Sequence, residues 1–308
     1  MSYHIVDVSS EGVVLSVKNR QLVCRDKDGA EKSLPLEDVA SVVVNSFSAL
    51  FHSSFLAAAA EEKIAVIVCK DFKPRSVVLP VQRGADTLLT RAQIGASGRL
   101  MDTIWRKTVD AKVANQYSLL EFIRNEDHRL GDFRVAMGRE DVSKEGNCAR
   151  IYWDIYATAL FLRGFHRLMD GDGLNGLLNY AYGVLVSRVL QRLLAFGLDP
   201  MYGVGHAVRE RAMPLAYDVM EPFRPAFDWE VFKWAQACMK REEPLLVDRA
   251  FKTMAQGIFQ KRHPYQQAKA VTLEAILDQV VKSLREAYLT GKTTAYKPWI
   301  RKSSKWDG

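Results

Sequence analysis

The sequence predicts an α+β protein, with a small N-terminal β-rich domain over residues 1–90 and a larger all-α-helical domain over residues 91–308. Short apolar runs cut by turn residues fill the N-terminal part, which is the signature of strands. From Arg99 almost to the end the apolar residues recur at helical spacing instead. Between the two, residues 84–98 hold Gly84, Gly95 and Gly98 among small polar residues, and this composition places a boundary there.

Taken in order, His4–Val8, residues 12–18, Gln21–Arg25 and residues 32–35 read as short strands. Asp26 to Gly29 forms a hairpin turn in which Gly29 can take positive φ. Val39–Val44 is almost wholly apolar, as expected of a strand buried on both faces. Residues 53–62 are alanine-rich and helical, residues 64–69 form a second apolar strand, and residues 77–79 can close the sheet. Beyond the boundary, Leu100, Ile104, Val109, Val113, Leu119 and Leu120 line one face of a long helix. Further helices are expected over residues 148–169, Leu174–Ala195, and residues 215–221, 229–240, 248–262 and 265–289. Trp105, Trp153, Trp229 and Trp234 fall on these helices and read as packing residues.

A hydrophobic fraction of 48% with 26% charged residues lets the chain bury a core without disulfides. The formal charge of +7 favours a polyanionic partner, although basicity alone does not make a nucleic-acid binder. Cys24, Cys69, Cys148 and Cys238 are isolated and lack zinc-site spacing, so reduced thiols in a cytosolic protein are expected. The start of the chain does not read as a signal peptide, and no apolar run reaches the ~18 residues of a membrane span. A cytoplasmic protein without a membrane partner follows.

Three places offer chemistry. Glu145 precedes the apolar run Ile151, Tyr152, Trp153; read alone, it is a helix-capping or first-turn acid. His206 follows Gly203 and Gly205, whose missing side chains allow a tight turn, and a lone histidine there is as readily structural. Asp218 and Glu221 are spaced to share a helix face among Leu215, Val219, Met220 and Phe223. Two such acids either form a solvated patch with Arg211 or Arg224, or hold a cation between them. Glutamate, histidine and a second acid together are a donor set for Mg2+ or Mn2+, the ions of phosphodiester chemistry.

Basic residues gather at the same places: Arg99, Arg106, Lys107 and Lys112 on the long helix, Arg139, Lys144 and Arg150 around Glu145, and Arg209, Arg211 and Arg224 around the other acids. Of these, Arg106, Lys107, Lys112, Arg139, Arg150, Arg209, Arg211 and Arg224 are candidate DNA contacts, with solvated helix faces as the plainer reading. Lys261, Arg262 and His263 read as a helix C-terminal cap. The tail from Tyr296, with Lys297, Trp299, Arg301, Lys302, Lys305 and Trp306, reads either as a clamp for DNA or a partner, or as a disordered end.

In sequence order, the chain carries Trp105, Lys112, Asn115 and Gln116; Glu145, Ala149, Arg150, Tyr152 and Trp153; Asn175, Leu178, Asn179, Tyr180 and Tyr182; Gly203 and His206; and an unbroken Pro-Leu-x-x-Asp-x-x-Glu-x-Phe-Arg-Pro run from Pro214 to Pro225. These motifs resemble those of the CRISPR-associated adaptation endonuclease/integrase family, the spacer-acquisition integrases, over nearly the whole chain. The resemblance implies that Glu145, His206 and Glu221 hold a catalytic Mg2+ or Mn2+, with Asp218 as a supporting acid. Where the family often has aspartate, this chain has the longer Glu221. It implies a homodimer formed through the β domains, and a heterohexamer with the second CRISPR adaptation protein. The DNA partners would be the protospacer duplex and the CRISPR repeat, joined by attack of a 3′-hydroxyl. Asn175 and Asn179 have a packing reading and a phosphate-touching one. The alternatives to integration are a general metal-dependent nuclease for branched DNA and a catalytically inert DNA-binding scaffold.

Overall fold

A computed structural model describes residues 4–70, 73–78, 85–168, 171–206, 213–265, 269–301 and 306. The N-terminal part contains β1 (His4–Val8), β2 (Val14–Lys18), β3 (Gln21–Arg25), β4 (Glu31–Pro35), β5 (Val39–Val44), β6 (Leu50–Phe51), α1 (Ser53–Glu61), β7 (Ala65–Lys70) and β8 (Lys73–Val78). They form two four-stranded sheets, ordered β1-β5-β7-β8 and β4-β3-β2-β6. In the first, β1, β5 and β7 run parallel and β8 returns antiparallel. The turn between β3 and β4 forms as its residues dictate: the Asp26 carboxylate accepts from the Asp28 and Ala30 amides, and Gly29 sits at φ 84°.

The valines of β5 explain why that strand has no polar face. Val42 and Val44 pack with Leu15, Phe55 and Ile64 inside the β-rich region. Val43, one residue between them, points the other way with Ile67 and Cys69, onto Leu194 and Ala195 of the helical region. Ion pairs border the same contact: Arg192 lies 3.3 Å from Asp7 of β1 and 3.1 Å from Asp278, and also pairs with Glu274.

The helical region contains α2 (Ala85–Ile94), α3 (Gly98–Ile123), α4 (Arg129–Met137), α5 (Ser143–Ala159), α6 (Leu174–Ala195), α7 (Pro214–Met220), α8 (Arg224–Lys240), α9 (Arg249–Gly257), the strands β9 (Arg262–Tyr265) and β10 (Lys269–Thr272), and α10 (Leu273–Thr290). Side-chain caps start three of the helices: Ser97 accepts from the Leu100 amide, Asp248 from Phe251 and Thr272 from Ala275. Gly291, left-handed at φ 66°, ends α10. A single apolar core joins the helices.

Several sequence expectations change here. The boundary at residues 90 and 91 falls inside α2, which packs on α10 and bonds through Gln93 to both backbone groups of Asp199. The helix expected over 148–169 is α5, which begins at Ser143 and stops at Ala159; Phe161 and Gly164 then turn the chain at positive φ. α4 escapes detection because its buried positions, Leu130, Phe133 and Ala136, span too short a run to display a period. α8 starts at Arg224 rather than 229, with Pro225 in its first turn, where a missing N–H costs nothing. The helices expected over 248–262 and 265–289 are interrupted by the β9–β10 hairpin, since Pro264 cannot donate a helical bond. His263 is therefore a buried strand residue beside Arg301, not a helix cap.

The C-terminal tail is neither a free clamp nor disordered where described: Tyr296, Trp299 and Trp306 are buried, and Trp299 stacks on Phe223. Lys302 and Lys305 lie outside the described residues. The four cysteines are free thiols. Among the described residues no helix is long and apolar enough to cross a membrane.

Candidate active site

α3 forms one wall of the site, presenting Trp105, Lys112 and Asn115. Glu145 comes from the first turn of α5. Opposite stand the turn Gly203–Gly205–His206, then Asp218 on α7, then Glu221 at the head of a 3-10 turn, Glu221–Phe223, that leads into Arg224.

The Lys112 ammonium lies 2.6 Å from Glu145 Oε1 and 2.6 Å from Glu221 Oε2. Arg224 takes the other oxygen of Glu221 at 2.8 Å. The side chain of Glu221 is 2% exposed and that of Lys112 10%, whereas Glu145 is 34% exposed and forms the open side of the cluster. Burial raises the Glu221 carboxyl, but the charges of Arg224 and Lys112 outweigh it and hold the group below the usual carboxylate range. Burial lowers the Lys112 ammonium, and Glu221 and Glu145 more than reverse that. Glu221 Oε2 meets the ammonium as an ion-pair contact and has no aligned hydrogen-bond donor, although it is buried.

Asp218, 1% exposed, is filled from a different side. It accepts from the amides of Val204 at 2.6 Å, Gly205 at 3.2 Å and His206 at 2.9 Å, and from His206 Nδ1 at 2.7 Å. The successive amides wrap the carboxylate as an anion nest. A carboxylate only accepts, so Nδ1 of the imidazole donates and Nε2 is left as the ring's acceptor. The hydrogen bond to Asp218 raises the His206 imidazole, burial opposes it, and the charges of Asp218, Glu221 and Glu145 add to the rise. The glycines are required by closeness. A Cβ on Gly205 would meet the Trp105 ring at 2.1 Å, and one on Gly203 would meet Pro214 at 2.8 Å. Trp105 in turn stands edge-on to the imidazole, with ring centroids 5.5 Å apart.

The structure thus gathers Glu145 and Glu221 onto one cation and sets His206 within electrostatic reach of both. Asp218 and Glu221 take different partners, the histidine turn for the first and the Lys112 and Arg224 cations for the second. Among the described residues, no three His, Cys, Asp or Glu side chains already converge as a metal cage, because Lys112 stands between the carboxylates. The residues nevertheless suit a divalent ion. The donors are two carboxylates and an imidazole, a positive charge already sits between the carboxylates, and a buried carboxylate oxygen lacks an aligned donor.

The candidate DNA contacts divide. Lys112 and Arg224 are occupied by the acids, and Lys107 donates to the carbonyls of Thr293 and Tyr296 at 2.6 and 3.1 Å, so none of the three offers a free surface cation. Arg106, Arg139 and Arg150 are exposed, and Arg106 and Arg139 line a cavity of about 480 Å³ with Trp105, Lys144 and Glu145. Arg209 and Arg211 lie outside the described residues. Asn175 takes the packing role: it accepts from the Leu168 amide and donates to the His166 carbonyl, folding the loop before α6.

Two residues escaped the sequence reading. Asp228 on α8 is fully buried and accepts from the hydroxyls of Tyr152 at 2.7 Å and Tyr182 at 2.5 Å. Burial pushes its carboxyl up to about 6 against those two bonds. Arg167 stacks over Trp153 and Tyr182 and donates to Asn179 at 2.7 Å. With Asn179, Tyr182, Tyr217 and Arg224 it lines a cavity of about 460 Å³ on the other side of Glu221's partner Arg224. Neither has a local sequence signal, since each gains its partners from distant helices.

A β-rich region followed by a helical one, with an acid–lysine–acid cluster beside a histidine turn, defines a class, and the sequence profile of the CRISPR associated protein Cas1 family matches residues 6–274. The chain belongs to that family. It is 29% identical over 278 residues to the CRISPR-associated endonuclease Cas1 of Neisseria meningitidis serogroup C (strain 8013), spanning 89% of this chain and 88% of that protein. It is 28% identical over 257 residues to the CRISPR-associated endonuclease Cas1 of Korarchaeum cryptofilum (strain OPF8), covering 72% and 75% of the two chains. Among solved structures, a casposase bound to integration product superposes with a TM-score of 0.72 at 20% identity, covering 96% of this chain and 98% of that one. A CAS1 protein from Thermotoga maritima superposes at 0.65 and 16% identity, covering 95% and 98%. A partial Cas6-RT-Cas1–Cas2 complex superposes at 0.70 and 18% identity, covering 97% and 99%. At these identities the solved structures speak for the fold.

Proposed function

We propose that this chain is a metal-dependent DNA endonuclease and integrase of CRISPR adaptation, which joins the 3′-hydroxyl ends of a protospacer to the CRISPR array by strand transfer. The observation that carries the reading is the meeting of Glu145 and Glu221, from distant segments, on one cation position beside His206. Glu145, Glu221 and His206 would hold Mg2+ or Mn2+, which would supply the charge that polarises a scissile phosphate and orients an attacking hydroxyl. Asp218 fixes the imidazole with Nε2 free as acceptor. Arg224 keeps Glu221 ionised and in place. The cavity bearing Arg106, Arg139 and Lys144 opens beside Glu145 and offers cations to a phosphate backbone.

The similar solved structures support the partners: one is bound to an integration product and another contains Cas2. On this reading the β-rich domain dimerises the chain, two dimers join through the second adaptation protein into a heterohexamer, and the complex works in the cytoplasm. The test offers a protospacer duplex and a supercoiled plasmid carrying a CRISPR array. Joined half-site products are expected, and they should disappear in Glu145→Ala, His206→Ala and Glu221→Gln. Cutting of branched DNA without joining would assign the chain to repair-type nucleases instead. DNA binding with neither joined nor cut products, unaltered in all three variants, would leave only a DNA-binding scaffold.

A further inference from the structure

We infer that Lys112 is a built-in occupant of the cation position: its ammonium neutralises Glu145 and Glu221 in the metal-free protein and is expelled when a divalent ion loads. The inference rests on the metal reading proposed above and adds to it a residue that competes with the ion.

Geometry makes the two cations mutually exclusive. The ammonium touches Glu145 Oε1 and Glu221 Oε2 at 2.6 Å, and with Arg224 on Oε1 both oxygens of Glu221 are taken, so an ion such as Mg2+, which needs an oxygen at about 2.1 Å, reaches Glu221 only by displacing a cation. Charge points the same way. Lys112 and Arg224 together balance Glu145 and Glu221, so the cluster is neutral as it stands. Adding a divalent ion without moving Lys112 would place two further positive charges in a largely buried site. Among the described residues, two neighbouring cations are engaged elsewhere. Arg224 is held on the far oxygen of Glu221, and Lys144 is paired with Asp110 at 2.5 Å.

Two consequences follow. Without the ion, the glutamates do not repel each other apart, so the site survives preformed between rounds of loading. With it, the apparent affinity is lowered by whatever the two ammonium contacts are worth, as for any ligand whose competent state must be freed first. Lys112 is thus a device for reversible metal occupancy, not a DNA contact.

The experiment measures Mn2+ binding to the full chain by titration calorimetry, and thermal unfolding with and without Mn2+. The proteins compared are wild type, Lys112→Met and Glu221→Gln. Lys112→Met is expected to bind Mn2+ at least about tenfold more tightly, because close charge pairs of this kind couple strongly. Its metal-free form should unfold at a lower temperature than wild type, and Mn2+ should raise its unfolding temperature by more. Glu221→Gln should bind weakly. If wild type binds Mn2+ and Lys112→Met binds it equally or less well, Lys112 is no competitor and the metal reading stands alone. If neither binds Mn2+, the metal reading falls and takes this inference with it. Lys112→Gln, with the same expectation, replaces Lys112→Met should the latter not fold.

Discussion

Glu221 and Asp228 are both fully buried acids on neighbouring turns of one segment, and the fold treats them oppositely. Glu221 is surrounded by cations, Lys112 and Arg224, and is held ionised against the cost of burial. Asp228 is surrounded by hydroxyls, from Tyr152 and Tyr182, with the Tyr156 hydroxyl on its own carbonyl, and burial wins. On the proposed metal reading, the contrast separates a charge kept for a ligand from an acid kept for packing. Cationic partners preserve a negative charge that an incoming ion can use, whereas neutral donors satisfy the oxygens without demanding ionisation. Asp218 stands between the two cases, buried like them but filled by three backbone amides and an imidazole.

The largest break in this comparison comes from neutralising Glu221. Glu221→Gln is expected to lower strand transfer by about a thousandfold or more, since a metal centre supplies several kcal/mol of charge stabilisation. The measurement is the rate of half-site product formation at saturating Mn2+. Glutamine is the cleaner change because Glu221→Ala would leave the Lys112 and Arg224 cations facing an empty space. Retained activity would mean that the ionised acid serves only the core, as Asp228 does.

The sequence made one half of this comparison legible and hid the other. Glu145, His206 and Glu221 each stood out locally, as did the glycines of the histidine turn. Lys112 was legible as a basic residue on a basic helix and as part of a motif, but not as the partner of both acids, because its burial is imposed by α5 and the 3-10 turn, which arrive from other parts of the chain. Asp218 and Glu221 were legible as neighbours on one helix, yet their different partners, the histidine turn and the Lys112 cation, arrive from distant segments. The two-sided burial of β5 could be read from its valines, since a strand whose one polar residue is the small Ser41 offers water no face. The β9–β10 hairpin was signalled by Pro264 but masked by the helical periodicity on both sides.

Asp218→Asn sharpens the intermediate case. An amide can still accept from the turn's backbone, but it presents a donor that conflicts with Nδ1–H or with the amides. Mn2+ affinity should fall about 10- to 100-fold, as is typical when a partner that orients a ligating histidine is lost. Calorimetry checks this. Affinity unchanged from wild type would mean that His206 is not oriented through Asp218.

Asn115 tests what holds the segment carrying both acids. Its amide donates to the carbonyls of Pro222 at 2.8 Å and Trp299 at 3.0 Å, and its oxygen accepts from the Arg301 amide at 2.7 Å. The tail is thereby tied to the turn that follows Glu221. Asn115→Ala should cost about 3 kcal/mol of stability, from buried groups left without partners. Denaturant unfolding measures it, and a loss well under 1 kcal/mol would detach the tail from the site.

The effect confined to a pH window belongs to Asp228. Its folded-state value of about 6 lies above the ordinary 3.8, so between those values the folded protein binds a proton that the unfolded chain has released. Its contribution is therefore fully present below about pH 4 and is lost as pH rises toward about 6. Asp228→Asn removes that titration while keeping an oxygen to accept from one tyrosine. Relative to wild type, the variant should gain up to about 3 kcal/mol in unfolding free energy across this window, and nothing further above it. Unfolding curves at several pH values decide the matter. Parallel profiles for the two proteins would show Asp228 to be ionised throughout, and the two buried acids would then be held by the same means after all.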